Sequence, residues 1–147
     1  DHLAGGQART LQLLGDMVGA AGIPVLGAVA AGGLVTAFDE VQEHLDLAPV
    51  LETRGLFALT VNGDSMVDSH IADGDVVLME PVQDPQRLRN GTVVSALVAG
   101  SGTTLKHFHR QGPTVVLEAA NPAYQPIELP AEQVEVQGRL VAVWRQV

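Results

Sequence analysis

Between Asn90 and Glu118 the chain is divided into short apolar lengths by turn residues. Asn90-Gly91, Ala99–Gly102 and Gln111-Gly112-Pro113 each carry the small or conformationally special residues that tight turns need. The lengths left between them are Thr92–Val98, Thr103–His109 and Thr114–Glu118, and each reads as a strand, the first two as a hairpin. The same grain runs through the rest of the chain. Leu56–Val61 is a strand with Phe57, Leu59 and Val61 on one face, and Val76–Met79 is the next. Val134, Val136, Leu140, Ala142 and Trp144 alternate into one or two terminal strands, the break falling at Gly138 if there are two. Ile23–Ala30 reads as a strand that opens on Pro24, and residues 34–55 as one or two short exposed strands. Residues 81–91 and 121–126 read as irregular. With 16 Gly, 8 Pro and only 3% aromatics, the core is built from Val, Leu, Ala and Ile. The fold class expected is mainly β: a compact antiparallel domain of many short strands spanning residues 23–147. Residues 1–22 hold Leu11, Leu14 and Val18 at helical spacing among several glycines. They read as an interdomain linker remnant or a short docked helix.

Composition then removes several functions. The chain's 147 residues suit one domain. Its net charge of −9 makes these residues a poor surface for phosphate backbones. There is no cysteine, hence no disulfide framework, thiol nucleophile or thiolate metal site. No apolar run approaches a membrane span, and the start lacks the plan of a signal peptide.

Asn62-Gly63-Asp64-Ser65-Met66 follows the strand Leu56–Val61 directly. A serine held in a turn at a strand end can be a nucleophile if a base takes its proton. A neutral lysine is one such base. Lys106 is the only lysine in the chain, and it shares a strand face with Thr104 and Phe108. Burial of that face would lower its pKa, and the Thr104 hydroxyl could orient its amine. Residues 66–71 suit a short helix, which would put outward backbone N–H groups near Ser65. The bland alternatives are a serine in a surface loop and a strand lysine in solvent. His107 and His109 share the opposite face and read as a solvated surface, since no strong third metal ligand accompanies them. A triad of Ser65, His70 and Asp73 would crowd three roles into one short segment. Ala30-Ala31-Gly32-Gly33 has almost no side chain, which suits either a loop or a peptide bond displayed for attack.

Three of these stretches together resemble a known family. Asn62-Gly-Asp-Ser-Met66 with Ile71-Ala-Asp-Gly-Asp75 is similar to the serine block of the LexA/UmuD-type self-cleaving proteins. Thr104-Leu105-Lys106, after Val93-Val94 and the hairpin, is similar to its lysine block, and Val29-Ala30-Ala31-Gly32 to its Ala-Gly cleavage site. Leu117–Ile127 resembles the segment that follows the lysine block. The motifs occur in the family's order, with Lys106 41 residues after Ser65. The resemblance implies a LexA/signal-peptidase-like fold and a Ser65–Lys106 dyad oriented by Thr104. It also implies an oxyanion site at the backbone N–H groups of Asp64 and Ser65, and cleavage of the chain's own Ala31–Gly32 bond. No cofactor or metal is implied. The family's LexA members are cytoplasmic repressors of DNA-damage genes that dimerise through their C-terminal strands. The RecA–single-stranded DNA filament stimulates their cleavage. They bind operator DNA through an N-terminal winged helix-turn-helix, which this sequence does not contain. A UmuD-like or phage-repressor relative, or a dimerisation module without activity, would share much of the pattern.

Overall fold

A computed structural model of the chain describes residues 22–26, 31, 43–52 and 55–147, residues 50 and 51 by their backbone alone. The chain divides into two compact units, Asp1–Thr53 and Arg54–Val147.

In the first unit, strand β1 (Ile23–Val25) pairs antiparallel with β2 (Glu43–Leu45), Ile23 opposite Leu45 and Val25 opposite Glu43. Gly22 precedes β1 with φ +85°, and a Cβ there would run into the Leu45 carbonyl, so only glycine fits. A single helical turn, α1 (Ala48–Leu51), begins where the Asp46 carboxylate accepts from the Ala48 N–H at 3.1 Å. The strand expected over Ile23–Ala30 thus ends at Val25, and residues 27–30 lie outside the described residues. Of the one or two short exposed strands expected over 34–55, β2 is one and this helical turn follows it; residues 34–42, 53 and 54 lie outside the described residues.

The second unit is one seven-stranded antiparallel sheet in the order β3-β4-β9-β5-β6-β7-β8. Its strands are β3 (Phe57–Thr60), β4 (Val76–Pro81), β5 (Thr92–Val98), β6 (Gly102–Gln111), β7 (Thr114–Glu118), β8 (Ile127–Pro130) and β9 (Val134–Trp144). The mainly β, antiparallel expectation is met. The last strand organises the sheet. Its first half pairs with β5 and its second half with β4, with register shifts at Ser95/Ala96 and Leu78/Met79. Such irregularities bend and twist a sheet. Two cores result. One gathers Val94, Ala96, Phe108, Val115, Leu117 and Val136; the other gathers Met66, Ile71, Val77 and Met79.

Two points of the sheet go beyond the sequence reading. Of the one or two terminal strands expected, there is one, and β9 passes through Gly138 without a break. Glycine is there because a Cβ would lie 2.8 Å from the Phe57 ring and 3.0 Å from the Glu80 carbonyl oxygen. The close approach of β3 and β4, rather than a turn, explains it. Residues 127–130 were not expected to form a strand, yet Ile127 and Leu129 pair with Leu117 and Val115 and pack on the first core.

Candidate active site

Ser65 stands just beyond β3, in a turn held from beneath. The Val61 N–H donates to the Asp75 carbonyl at 2.8 Å, and the Gly74 N–H donates back to the Val61 carbonyl at 2.7 Å. The Gly63 N–H donates to the Asp73 carboxylate at 2.6 Å. Gly63 itself needs φ +93°. Met66 is fully buried in the second core and so pins the residue after Ser65. A 3-10 turn, Val67–Ser69, follows and closes on His70 in the left-handed conformation. The short helix expected over 66–71 is this turn.

Asp75, at the foot of the loop, is 2% exposed, and its carboxylate takes two bonds of 2.7 Å from the Arg145 guanidinium and one of 2.8 Å from the Ala72 N–H. The Arg145 bonds first, then the Ala72 N–H, hold its pKa down to about 2.

A second set of ties reaches the Ser65 turn from the segment between β7 and β8. Asn121 donates its side-chain N–H to the Asp64 carbonyl at 2.9 Å, and the Tyr124 hydroxyl donates to the Asp64 carboxylate at 2.6 Å. The Asp68 N–H donates to the Ala120 carbonyl at 2.8 Å. Among the described residues no hydrogen bond engages the N–H of Asp64 or of Ser65; the Val67 N–H turns back to the Asp64 carbonyl at 3.3 Å.

Lys106 comes from β6. Strand alternation places it on the face of Phe108, and it is 8% exposed. Its Nζ lies 3.2 Å from Ser65 Oγ, 2.6 Å from Thr104 Oγ1 and 3.2 Å from the Leu105 carbonyl oxygen. Desolvation lowers its pKa from the ordinary lysine value. The three partners suit the neutral amine, which has two N–H bonds and one lone pair. The Leu105 carbonyl only accepts and takes one N–H. Thr104 accepts the other. The lone pair then remains for the Ser65 hydroxyl proton.

A cleft of about 310 Å³ opens over this pair. It is walled by the end of β3 (Leu59 to Asn62) and by Thr103–Lys106 of β6, with Ser65 and Met66 between them. β6 pairs with β5 over residues 102–108 but with β7 only from His107 onward. Among the described residues, 102–106 therefore present a free strand edge to the cleft, a surface to which an extended peptide can add.

Of the sequence candidates, Ser65, Lys106 and Thr104 come together, with the Asp64 and Ser65 N–H groups beside them. Ala31 is an exposed turn residue of the first unit, and Gly32 lies outside the described residues. His70 is exposed at the end of the 3-10 turn and Asp73 is engaged by Gly63, so neither is hydrogen-bonded to Ser65. His107 is more than a solvated surface residue. Its Nδ1 lies 2.9 Å from the Gly91 carbonyl and its Nε2 2.9 Å from Ser69 Oγ. A carbonyl only accepts, so Nδ1 carries a hydrogen, and Nε2 pairs with the Ser69 hydroxyl. His109 faces Glu118 at 3.4 Å. No group of three or more metal-ligating side chains occurs among the described residues. Sequence reasoning missed Asn121, Tyr124, Ser69 and Arg145. An Asn before Pro does signal a local turn, and Asn121 Oδ1 accepts from the Ala123 N–H at 2.9 Å. Its bond to Asp64 has no sequence signal.

A family model described as Peptidase S24-like matches residues 24–141 of this chain. The LexA repressor of Koribacter versatilis (strain Ellin345) is 41% identical over 141 residues, covering 96% of this chain and 65% of that protein. The transcription regulator LexA of Synechocystis sp. (strain ATCC 27184 / PCC 6803 / Kazusa) is 36% identical over 140 residues, covering 95% and 68%. The LexA repressor of Ruegeria sp. (strain TM1040) is 40% identical over 147 residues, covering 99% and 59%. The chain thus spans about two thirds or less of the length of these curated relatives. No helix among the described residues is long and apolar enough to cross a membrane.

Proposed function

The chain belongs to the S24-like peptidase family and resembles LexA repressors along almost all of its length, and from that membership we propose that it is the self-cleaving, C-terminal domain of a cytoplasmic LexA-like repressor. Residues 23–147 make up this domain, and residues 1–22 are the linker to a DNA-binding domain. Ser65 is the nucleophile, Lys106 the general base and Thr104 the residue that orients it. The substrate is the chain's own Ala31–Gly32 bond. The observation that carries this reading is the 3.2 Å contact of a buried, desolvated Lys106 Nζ with Ser65 Oγ.

The chemistry runs in two halves. Neutral Lys106 takes the Ser65 proton as Oγ forms a bond to the Ala31 carbonyl carbon. The N–H groups of Asp64 and Ser65 receive the oxyanion. The carbon–nitrogen bond to Gly32 then breaks, and Lys106 returns its proton to the leaving nitrogen. Water attacks the Ser65 ester, giving its proton through Lys106 to Oγ, and releases the new carboxyl end at Ala31. The cleft and the free edge of β6 favour an extended substrate with small side chains.

A tethered substrate is present at high effective concentration, so the reaction needs a restraint. The restraint is a bistable cleavage segment, docked or swung away, with the RecA–single-stranded DNA filament favouring the docked form. Homodimerisation through the C-terminal strands has a candidate surface on β9, where Val141, Val143 and Trp144 are exposed, Trp144 at 54%. Operator DNA is bound by the linked N-terminal domain rather than by these acidic residues.

The test is incubation of the purified chain at rising alkaline pH without any partner. Mass spectrometry should find fragments ending at Ala31 and beginning at Gly32. Ser65→Ala and Lys106→Ala should stay intact throughout. Cleavage elsewhere, or cleavage of both variants at the parent rate, would remove the assignment.

A further inference from the structure

The peptide bond between Asp64 and Ser65 is a trans, planar unit. Its carbonyl oxygen and its N–H therefore point in opposite directions, and a group that fixes one fixes the other. The carbonyl is held by Asn121 Nδ2 at 2.9 Å and by the Val67 N–H at 3.3 Å. The N–H on the far side is that of Ser65, which has no hydrogen bond among the described residues. We propose that Asn121 is a positioning residue for the self-cleavage reaction, one that aims the Ser65 N–H at the developing oxyanion by anchoring the Asp64 carbonyl. This rests on the assignment of Ser65 as nucleophile and deepens it.

Three observations support the inference. First, Asn121 is itself braced: its Oδ1 accepts from the Ala123 N–H at 2.9 Å, which leaves Nδ2 as the group directed at Asp64. Second, Tyr124 doubles the tie by donating to the Asp64 carboxylate at 2.6 Å. That bond is the main reason its phenol pKa is raised, so the hydroxyl keeps its proton to higher pH than an ordinary tyrosine does. Third, the Asp68 N–H bond to Ala120 fixes the same two segments one turn further along. An oxyanion donor acts only if it already points at the charge before the reaction begins. Segment 120–124 supplies that orientation from outside the cleft, and Asn121 touches no reacting atom.

The two ends of the Asn121 amide allow a selective test. Asn121→Asp keeps the oxygen that braces Ala123 but removes the donor to Asp64. Asn121→Ala removes both. Self-cleavage of the full chain would be followed against pH for the parent and both variants, with circular dichroism confirming the folded fraction. The expected result is a high-pH plateau lowered about ten- to a hundredfold in both variants, part of the effect of deleting an oxyanion donor outright. The pH midpoint, which reports Lys106, should stay where it is. Asn121→Asp at the parent plateau, or slowed only through a displaced midpoint, would overturn the inference. Should Asn121→Asp fail to fold, Tyr124→Phe takes its place, because it loses only the hydroxyl that holds Asp64. Its plateau should fall severalfold, and a parent plateau would count against the proposal. A parent chain that never cleaves at alkaline pH brings down the Ser65 assignment and this inference together. A cleaving parent with unaffected variants brings down the inference alone.

Discussion

Ser65 and Lys106 meet at 3.2 Å but are held in place by unlike means. Lys106 sits inside a ten-residue strand, between a neighbour whose side chain completes its hydrogen bonds and a neighbour that packs into a core. Its position follows from sheet register, and the free energy behind it is mainly apolar burial around Phe108, Val94 and Leu117. Ser65 sits in a turn with little regular structure. Its position follows from hydrogen bonds to segments distant in sequence: the Asp73–Asp75 turn, segment 120–124, and His107 through Ser69. Lys106 is placed by a ladder and Ser65 by a set of polar ties. Loops can be set accurately when rigid elements supply their partners. The two halves should accordingly fail in different ways.

The largest difference is expected at the base. Lys106→Arg preserves charge and reach, but arginine does not lose its proton near neutral or moderately alkaline pH. Self-cleavage should fall at least about 10⁴-fold, as it does when a member of a catalytic unit is removed. The parent's dependence on pH supplies the sign. Lys106 has a lowered pKa because burial disfavours its ammonium form. Below that pKa the reactive neutral fraction grows about tenfold per pH unit, and it levels off above it. The rate should rise with pH, with its midpoint below the 10.5 of an ordinary lysine, and level off above that midpoint. A rate that is flat or falls with pH in a folded sample would exclude Lys106 as the base. Measured stability should also rise with pH between the lowered value and 10.5, where the unfolded chain binds more protons than the folded one.

The loop side should break through Asp75. Its pKa is held down from 3.8 to about 2 by Arg145 and the Ala72 N–H. A carboxyl depressed in the folded state stabilises fully above its unfolded value and loses that contribution as pH falls through its folded value. Denaturant titrations of the parent and of Asp75→Asn should therefore differ above pH 3.8 and converge as the pH approaches 2. Asn would also turn an N–H toward the Arg145 guanidinium, donor against donor. Equal stability of the two proteins at neutral pH would show that the Asp75–Arg145 pair does not brace the loop.

The same contrast explains what could be read in advance. β5 and β7 were legible to their end residues because alternating apolar side chains between turn residues carry their own signal. The pairing of Thr104 with Lys106 was legible too, since residues two apart in a strand share a face. β8 was not, because Ile127–Pro130 becomes a strand through its pairing with β7. Gly138 left one or two terminal strands open for a related reason: what requires it is the Phe57 ring, far away in sequence. The ties of Asp64 to Asn121 and Tyr124 join residues 57 and 60 positions apart and leave no local pattern. The motif around Ser65 was therefore visible, and most of what positions that residue was not.

The smallest effect separates one polar tie from the ladder. Ser69 and His107 link the turn that carries Ser65 to the strand that carries Lys106 through a single 2.9 Å bond. Ser69→Ala removes that bond and leaves His107 its contact with the Gly91 carbonyl. Ser69 is only partly buried, so water can satisfy the freed Nε2, and the loss should be that of one ordinary hydrogen bond, about 1 kcal/mol. Chemical denaturation should find that decrease, with the pH midpoint of self-cleavage unmoved because Lys106 keeps its burial. A cost above about 3 kcal/mol would exceed what one such bond supplies. The His107–Ser69 link would then be the main support of the Ser65 turn, and the picture of many small, separable ties would have to give way to a single anchor.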